Sequence, residues 1–232
     1  MAEAQLTRAS SGGGSCLFAG MTLDEYSSLI ENAMSVVASS GSSLFIENTV
    51  FNPPKSGQYE VIMIGGGGGG GGHGSGVTTY AYEGHTGYGA AGGSGYLTAQ
   101  NVTLTKGEYV NIIIGDGGSA GWNSFGWTSY GWRNGGSGGT GGTTFLGNYL
   151  SANGGGGGGG GGAYRDDSKT TAITHGVAGK GFFEGTTSNA SVEGIGGNGI
   201  IPPYNMNTAS GWGKGGNIST AGVKGCIWIS WS

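Results

Sequence analysis

Hydrophobic positions recur at helical spacing in one place only. Leu23, Tyr26, Ile30, Ala33, Met34 and Val37 stand three or four residues apart, which is one face of an amphipathic helix. Thr22 and Glu25 form a capping box in front of them. The pattern therefore predicts one α-helix over about 22–39, ending near Ser39-Ser40-Gly41. Beyond Phe51 the helical period disappears, and short β-prone runs feed directly into glycine tracts. Residues 59–64 (YEVIMI) lead into eight glycines at 65–72, and residues 108–114 (EYVNIII) lead into Gly115-Asp116-Gly117-Gly118. Residues 143–152 read as a two-residue hairpin around Gly147-Asn148, followed by nine glycines at 154–162. Lys106-Gly107 predicts a turn between strands at 95–104 and 108–114. The chain closes on CIWISW at 226–231, a β-prone run.

Glycine makes up 59 of the 232 residues, and each one loses about 0.5–1 kcal/mol more chain entropy on folding than alanine does. Composition alone would favour disorder. The flanking Ile- and Trp-rich strands argue for order instead, so the tracts are expected where a Cβ would not fit. An extended helix of the polyproline II type has three residues per turn and rises about 3.1 Å per residue. Glycine, unlike proline, keeps its N–H, so neighbouring helices of this kind can hydrogen-bond laterally, with weaker Cα–H contacts between them. Four prolines and the lack of a G-X-Y period separate this from collagen. The expected fold class is mainly β with irregular structure: short strands framing a layered sandwich of polyglycine II helices, plus one N-terminal α-helix. Residues 1–50 read as an attachment segment and 51–232 as the glycine-rich domain.

Charge and chemistry narrow the function. Charged residues are 9% of the chain, the net charge is −4, and nine basic residues are scattered along it. That is no footprint for nucleic acid. No stretch approaches the roughly 18 apolar residues of a membrane span, and MAEAQLTRAS has no secretory n-region or h-region. Cys16 and Cys226 are too few and too far apart for a disulfide framework or a zinc site. His73, His85 and His175 are not at metal-ligand spacing, and neither GxSxG nor HExxH occurs. Asp166-Asp167 reads as a solvated loop. Neither catalysis, nor a metal, nor a cofactor is expected.

Five polar-aromatic excursions interrupt the tracts, at about 73–91, 119–134, 163–175, 182–193 and 200–212. If the glycine segments are parallel rods, the excursions emerge at rod ends. They carry Tyr80, Tyr82, His85 and Tyr88, then Trp122, Phe125, Trp127, Tyr130 and Trp132, then Tyr164 with Arg165, and finally Tyr204. Amphipathic rings on loops give large contact area at small entropy cost. The bland alternative is that Trp122, Trp127 and Trp132 fill a core short of aliphatics. Trp228 and Trp231, inside a strand, read as core.

FNPPKSGQYEV feeding IGGGGGGGG, then VTLTKGEYVNIIIGDGG, GGTGGTTFLGNYLSANGGGG and the terminal GCIWI, together resemble the glycine-rich domains of bacteriophage tail fibres and related tail proteins. The resemblance covers about 51–232 and is similar in style to the polyglycine-helix receptor-binding adhesins of T-even-like phages. It implies a virion protein made in the host cytoplasm. Exposed loops on a polyglycine sandwich would bind a host receptor, either a glycan or an outer-membrane protein. Residues 1–50 would meet other tail or fibre proteins, and a homo-oligomer is among the partners the resemblance implies. The rival expectation is a purely structural tail or baseplate component whose loops contact other virion proteins.

Overall fold

A computed structural model describes residues 17–18, 21–22, 25–29, 40–77, 84–127, 131–165, 171–189 and 193–232. Strands β1 (Leu17–Phe18) and β2 (Met21–Thr22) form a short antiparallel ladder, and residues 25–29 are helical. The predicted helix is thus met at 25–29. Thr22 is extended instead, and 30–39 lie outside the described residues.

Strands β3 (Gly41–Phe45), β4 (Thr49–Phe51) and β5 (Gly57–Ile64) precede the first tract. After it come β6 (Gly74–Val77), β7 (Gly84–Gly87), β8 (Leu97–Leu104) and β9 (Val110–Ile113). Next are β10 (Ser124–Trp127), β11 (Gly131–Asn134), β12 (Thr144–Leu146) and β13 (Leu150–Ala152). The last are β14 (Gly162–Arg165), β15 (Thr171–Thr174), β16 (Gly199–Ile201), β17 (Asn205–Thr208) and β18 (Cys226–Trp231). The chain is mainly β, in several small sheets, none of them closed.

Two four-stranded sheets, ordered β3-β18-β5-β8 and β13-β12-β9-β4, make a framework at one end. They bury Tyr59, Val61, Met63, Leu104, Ile112, Leu146, Ile227 and Ile229 in one shared core. Alternation along β5 and β9 puts these residues on the inner faces, as a half-buried strand requires. Phe51, Tyr59 and Trp231 pack ring against ring at centroid distances of 5.7–6.1 Å. Trp228 and Trp231 are half-buried against the core, as expected. Cys226 is a buried free thiol, and burial pushes its pKa up to about 12.

The framework differs from the sequence reading in two ways, at its start and in the length of one hairpin turn. It begins at Gly41, because β3 pairs with β18 and β4 with β9, so 41–50 are built into the sheets. Asn48 Oδ1 accepts the Ile114 N–H at 2.7 Å, and Lys224 pairs with Glu47. The turn predicted at Lys106-Gly107 is met, and it joins strands of opposite sheets, since β8 pairs with β5 while β9 pairs with β12 and β4. The hairpin at 144–152 has a three-residue turn rather than two, because Leu146 registers with Leu150 and Gly147 takes φ 49°.

The glycine segments run away from this framework and are ordered by a regular hydrogen-bond rotation. The N–H groups of Gly65, Gly68 and Gly71 donate to the carbonyls of Tyr96, Gly93 and Ala90. Those of Gly66, Gly69 and Gly72 donate to Gly142, Gly139 and Gly136, and those of Gly67 and Gly70 to Val223 and Thr220. The carbonyls of 65–72 rotate as well. Gly66, Gly69 and Gly72 accept from Gly155, Gly158 and Gly161, Gly67 and Gly70 from Gly118 and Gly121, and Gly68 and Gly71 from Gly216 and Ser219. Every third residue therefore meets the same neighbour, and six segments surround 65–72.

Partner numbers descend on the three N–H sides and ascend on the three C=O sides, so antiparallel and parallel neighbours alternate. The ring closes on itself through Gly136→Trp122, Gly138→Gly158, Gly93→Gly156, Gly92→Gly216, Val223→Lys214 and Gly222→Gly118, each from N–H to C=O. A second ring shares members with the first and encircles 90–96. It adds 176–180, 183–186 and 195–197 through Gly179→Ala91, Ala91→Thr186 and Gly197→Gly92. The backbone pairs between segments rather than within them, which satisfies every third donor on each side.

The contacts leave no room for side chains. A Cβ added anywhere in 65–72 would stand 1.8–2.2 Å from a neighbour's carbonyl oxygen. Where a segment faces outward, side chains return: 135–143 reads GGS-GGT-GGT, with Ser137 and Thr140 exposed. At the tract's root, buried Thr144 donates to the Ile64 carbonyl at 2.9 Å and accepts the Gly115 N–H at 3.0 Å.

Candidate functional site at the tip

Residues 65–72 carry the chain from Ile64, in the framework, to His73 at the opposite end, which we call the tip. Three excursions emerge there, as paired strands rather than irregular loops. One sheet has the order β10-β6-β7, with β10 parallel to β6, and the other has the order β11-β14-β15. β14 packs against β6 and β7, and β11 against β6.

Trp122 is 68% exposed and Phe125 72% exposed, which excludes a core role for both. Trp122 ends a glycine segment and its indole lies over Gly136, where a Cβ would come within 2.2 Å of it. Phe125 sits on β10, an edge strand. His85 on β7 and Tyr164 on β14 are half-buried. Trp127, Trp132 and Arg165 lie on tip strands, in register with Val77, Tyr164 and Gly131 respectively. Tyr80, Tyr82 and Tyr130, like Asp166 and Asp167, lie outside the described residues.

Tyr204 is 93% exposed but does not join the others. Residues 200–212 are at the framework end, where Ile200 and Trp212 exchange hydrogen bonds and pack with Ile64 and Cys226. The excursion at 182–193 is likewise split. Phe183 accepts from Ser94 beside the framework, whereas Ser188 reaches the tip and donates to the Gly89 carbonyl at 3.1 Å. Parallel and antiparallel segments alternate, so excursions must leave from both ends.

Two histidines that spacing kept apart meet around Tyr88. Its ring lies 5.4 Å edge-on from His73 and 5.6 Å stacked on His175. His73 Nδ1 accepts the Gly89 N–H and His175 Nδ1 accepts the Tyr88 N–H, both at 3.2 Å. Burial holds the His73 pKa below its ordinary 6.5. Among the described residues no group of three His, Cys, Asp or Glu is placed to hold a metal, and no helix is long and apolar enough to cross a membrane.

Beside this stack is a cleft of about 530 Å³, lined by His73, Tyr88, Asn123, Ser188, Asn189, Glu193, Asn217, Ile218, Ser219 and Thr220 among others. Sequence reasoning missed it, because its parts are single polar residues at the ends of separate segments. Asn123 Oδ1 accepts from the His73 N–H and from Ser219 Oγ, each at 2.7 Å. Asn217 Oδ1 accepts the Gly196 N–H at 2.9 Å. A local signal exists in WN at 122–123 and GGN at 215–217, where an asparagine stops a glycine segment. No protein-family model matches this chain, and no curated protein matches it either.

Proposed function

We propose that this chain is a phage tail-fibre-type virion protein that binds a host-cell receptor through its tip, which stands on a layered sandwich of polyglycine II helices. The three-residue rotation of partners supports that helix type, whose period is three. The two fused rings lay out as three rows. The outer rows are 136–142, 154–161, 176–180 and 220–225, 213–217, 194–197, and the middle row is 115–122, 65–72, 90–96, 183–186. Eight residues of such a rod span about 25 Å, at about 3.1 Å each. Rods hydrogen-bonded to several neighbours fix the bases of the tip strands, so little ordering remains to oppose binding.

The observation that carries the reading is the placement of Trp122 and Phe125. Both are exposed at the end remote from the framework, and both are amphipathic or apolar rings of the kind that anchor recognition surfaces. The part of residues 1–50 that precedes the framework, 1–40, would join the chain to other tail or fibre proteins, and several copies per virion would add avidity. Labelled protein on whole host cells tests this. Saturable binding is expected, and it should be lost in a Trp122→Ala/Phe125→Ala variant with unchanged melting temperature. Wild-type binding by that variant contradicts the aromatic surface. No binding by the folded parent points to a structural component whose tip meets another virion protein.

A further inference from the structure

The aromatic surface does not explain the polar cleft next to it. We propose that the cleft is a subsite for a neutral saccharide of the host surface; this rests on the reading that the tip meets that surface. At about 530 Å³ it falls within the roughly 300–1,000 Å³ of ordinary small-molecule sites, enough for a short oligosaccharide.

Its hydrogen-bonding groups are sorted before any ligand arrives. The amide oxygens of Asn123 and Asn217 are committed to protein donors, which orients their amide nitrogens as donors. Glu193 adds a carboxylate acceptor. Donor and acceptor residues lining one space match hydroxyl groups, which both give and accept. Ile218 and Tyr88 supply carbon surface for the C–H faces of a sugar ring. Among the described residues no Lys or Arg lines the cleft. A phosphorylated or sialylated sugar would therefore set an anion beside Glu193 with no counter-charge, an arrangement that selects against it.

Ser219 gives an independent reason. Among the described residues it is the one non-glycine with positive φ, at 54°, a conformation that glycine adopts without strain. In a chain with 59 glycines, a serine stands at this position, and its hydroxyl donates to Asn123 Oδ1. Strain kept at a cleft is the pattern of a functional site.

The test is saturation-transfer NMR on the full chain with the methyl glycosides of glucose, galactose and mannose, using N-acetylneuraminic acid and glucose 6-phosphate as anionic controls. A saturable signal from at least one neutral glycoside, and none from the anions, is expected. Glu193→Gln and Ser219→Gly should each weaken it about tenfold, the size expected for one lost charged or orienting hydrogen bond. Ser219→Gly should leave the melting temperature within a few degrees of the parent, which a merely structural serine would not do while changing affinity. Loss of every neutral-sugar signal in the folded protein, preference for the anions, or parental binding by both variants overturns the inference. The same samples on host cells separate the two readings. Cell binding that no neutral glycoside competes keeps the attachment reading and overturns the cleft. Glycoside binding without cell binding supports the cleft and overturns attachment.

Discussion

The framework and the glycine segments are both solid, but they are solid for opposite reasons. In the framework, side chains such as Met63, Ile227 and Ile229 fill the space between two sheets, and stability comes from apolar burial. In the glycine region the backbones themselves touch and the side chains are what must be absent. A tract whose composition would ordinarily mean disorder is ordered because each segment finds its hydrogen-bond partners on several others, six in the case of 65–72. Defects should accordingly be graded in one region and nearly all-or-none in the other.

The largest effect should come from Gly68→Ala. Its Cβ would fall 2.0 Å from the Gly156 carbonyl oxygen, in the segment at the centre of the first ring. The expected outcome is no cooperative unfolding transition by circular dichroism, and a parental transition would break the comparison. Ile227→Ala removes a fully buried side chain from the framework. It should still fold, with a loss of about 2–5 kcal/mol read from denaturant midpoints. A smaller effect is expected from acid at His73. Burial lowers its native pKa below the 6.5 of the free group, so the unfolded chain takes up the proton first as pH falls. Stability from this group is complete above about pH 6.5 and declines as pH drops toward the native value, where it levels off. Melting curves between pH 7.5 and 5.5 should show that decline, and His73→Gln should flatten it.

The framework was largely legible because side-chain patterns mark strands: 59–64 and 226–231 appear as β5 and β18, close to their predicted limits. Strand β3 escaped because its run, GSSLF, has little apolar weight and is half-buried at a sheet edge. Order in the tracts was legible from their flanks, but partnership was not. A run of glycines has no side-chain pattern to show which carbonyl each N–H meets, and Gly70 meets one 150 residues away, at Thr220. Exposed tip aromatics followed from composition for Trp122 and Phe125. The direction of each segment decided which excursions share the tip, and it placed Tyr204 at the other end. The cleft needed the ends of six segments brought together, so no single motif announced it.

The central claim is that these tracts are rods packed on fixed sides, and an alanine scan across 154–161 tests it most directly. A Cβ would meet a carbonyl oxygen at 1.9–2.3 Å at 154, 155, 157, 158, 160 and 161. At Gly156 the nearest atom is 3.2 Å away and at Gly159 it is 2.9 Å. Melting temperatures should therefore recover every third residue, most at Gly156→Ala and partly at Gly159→Ala, with the other six variants failing to fold. A flat profile across the scan, whether uniformly tolerant or uniformly damaged, would contradict it.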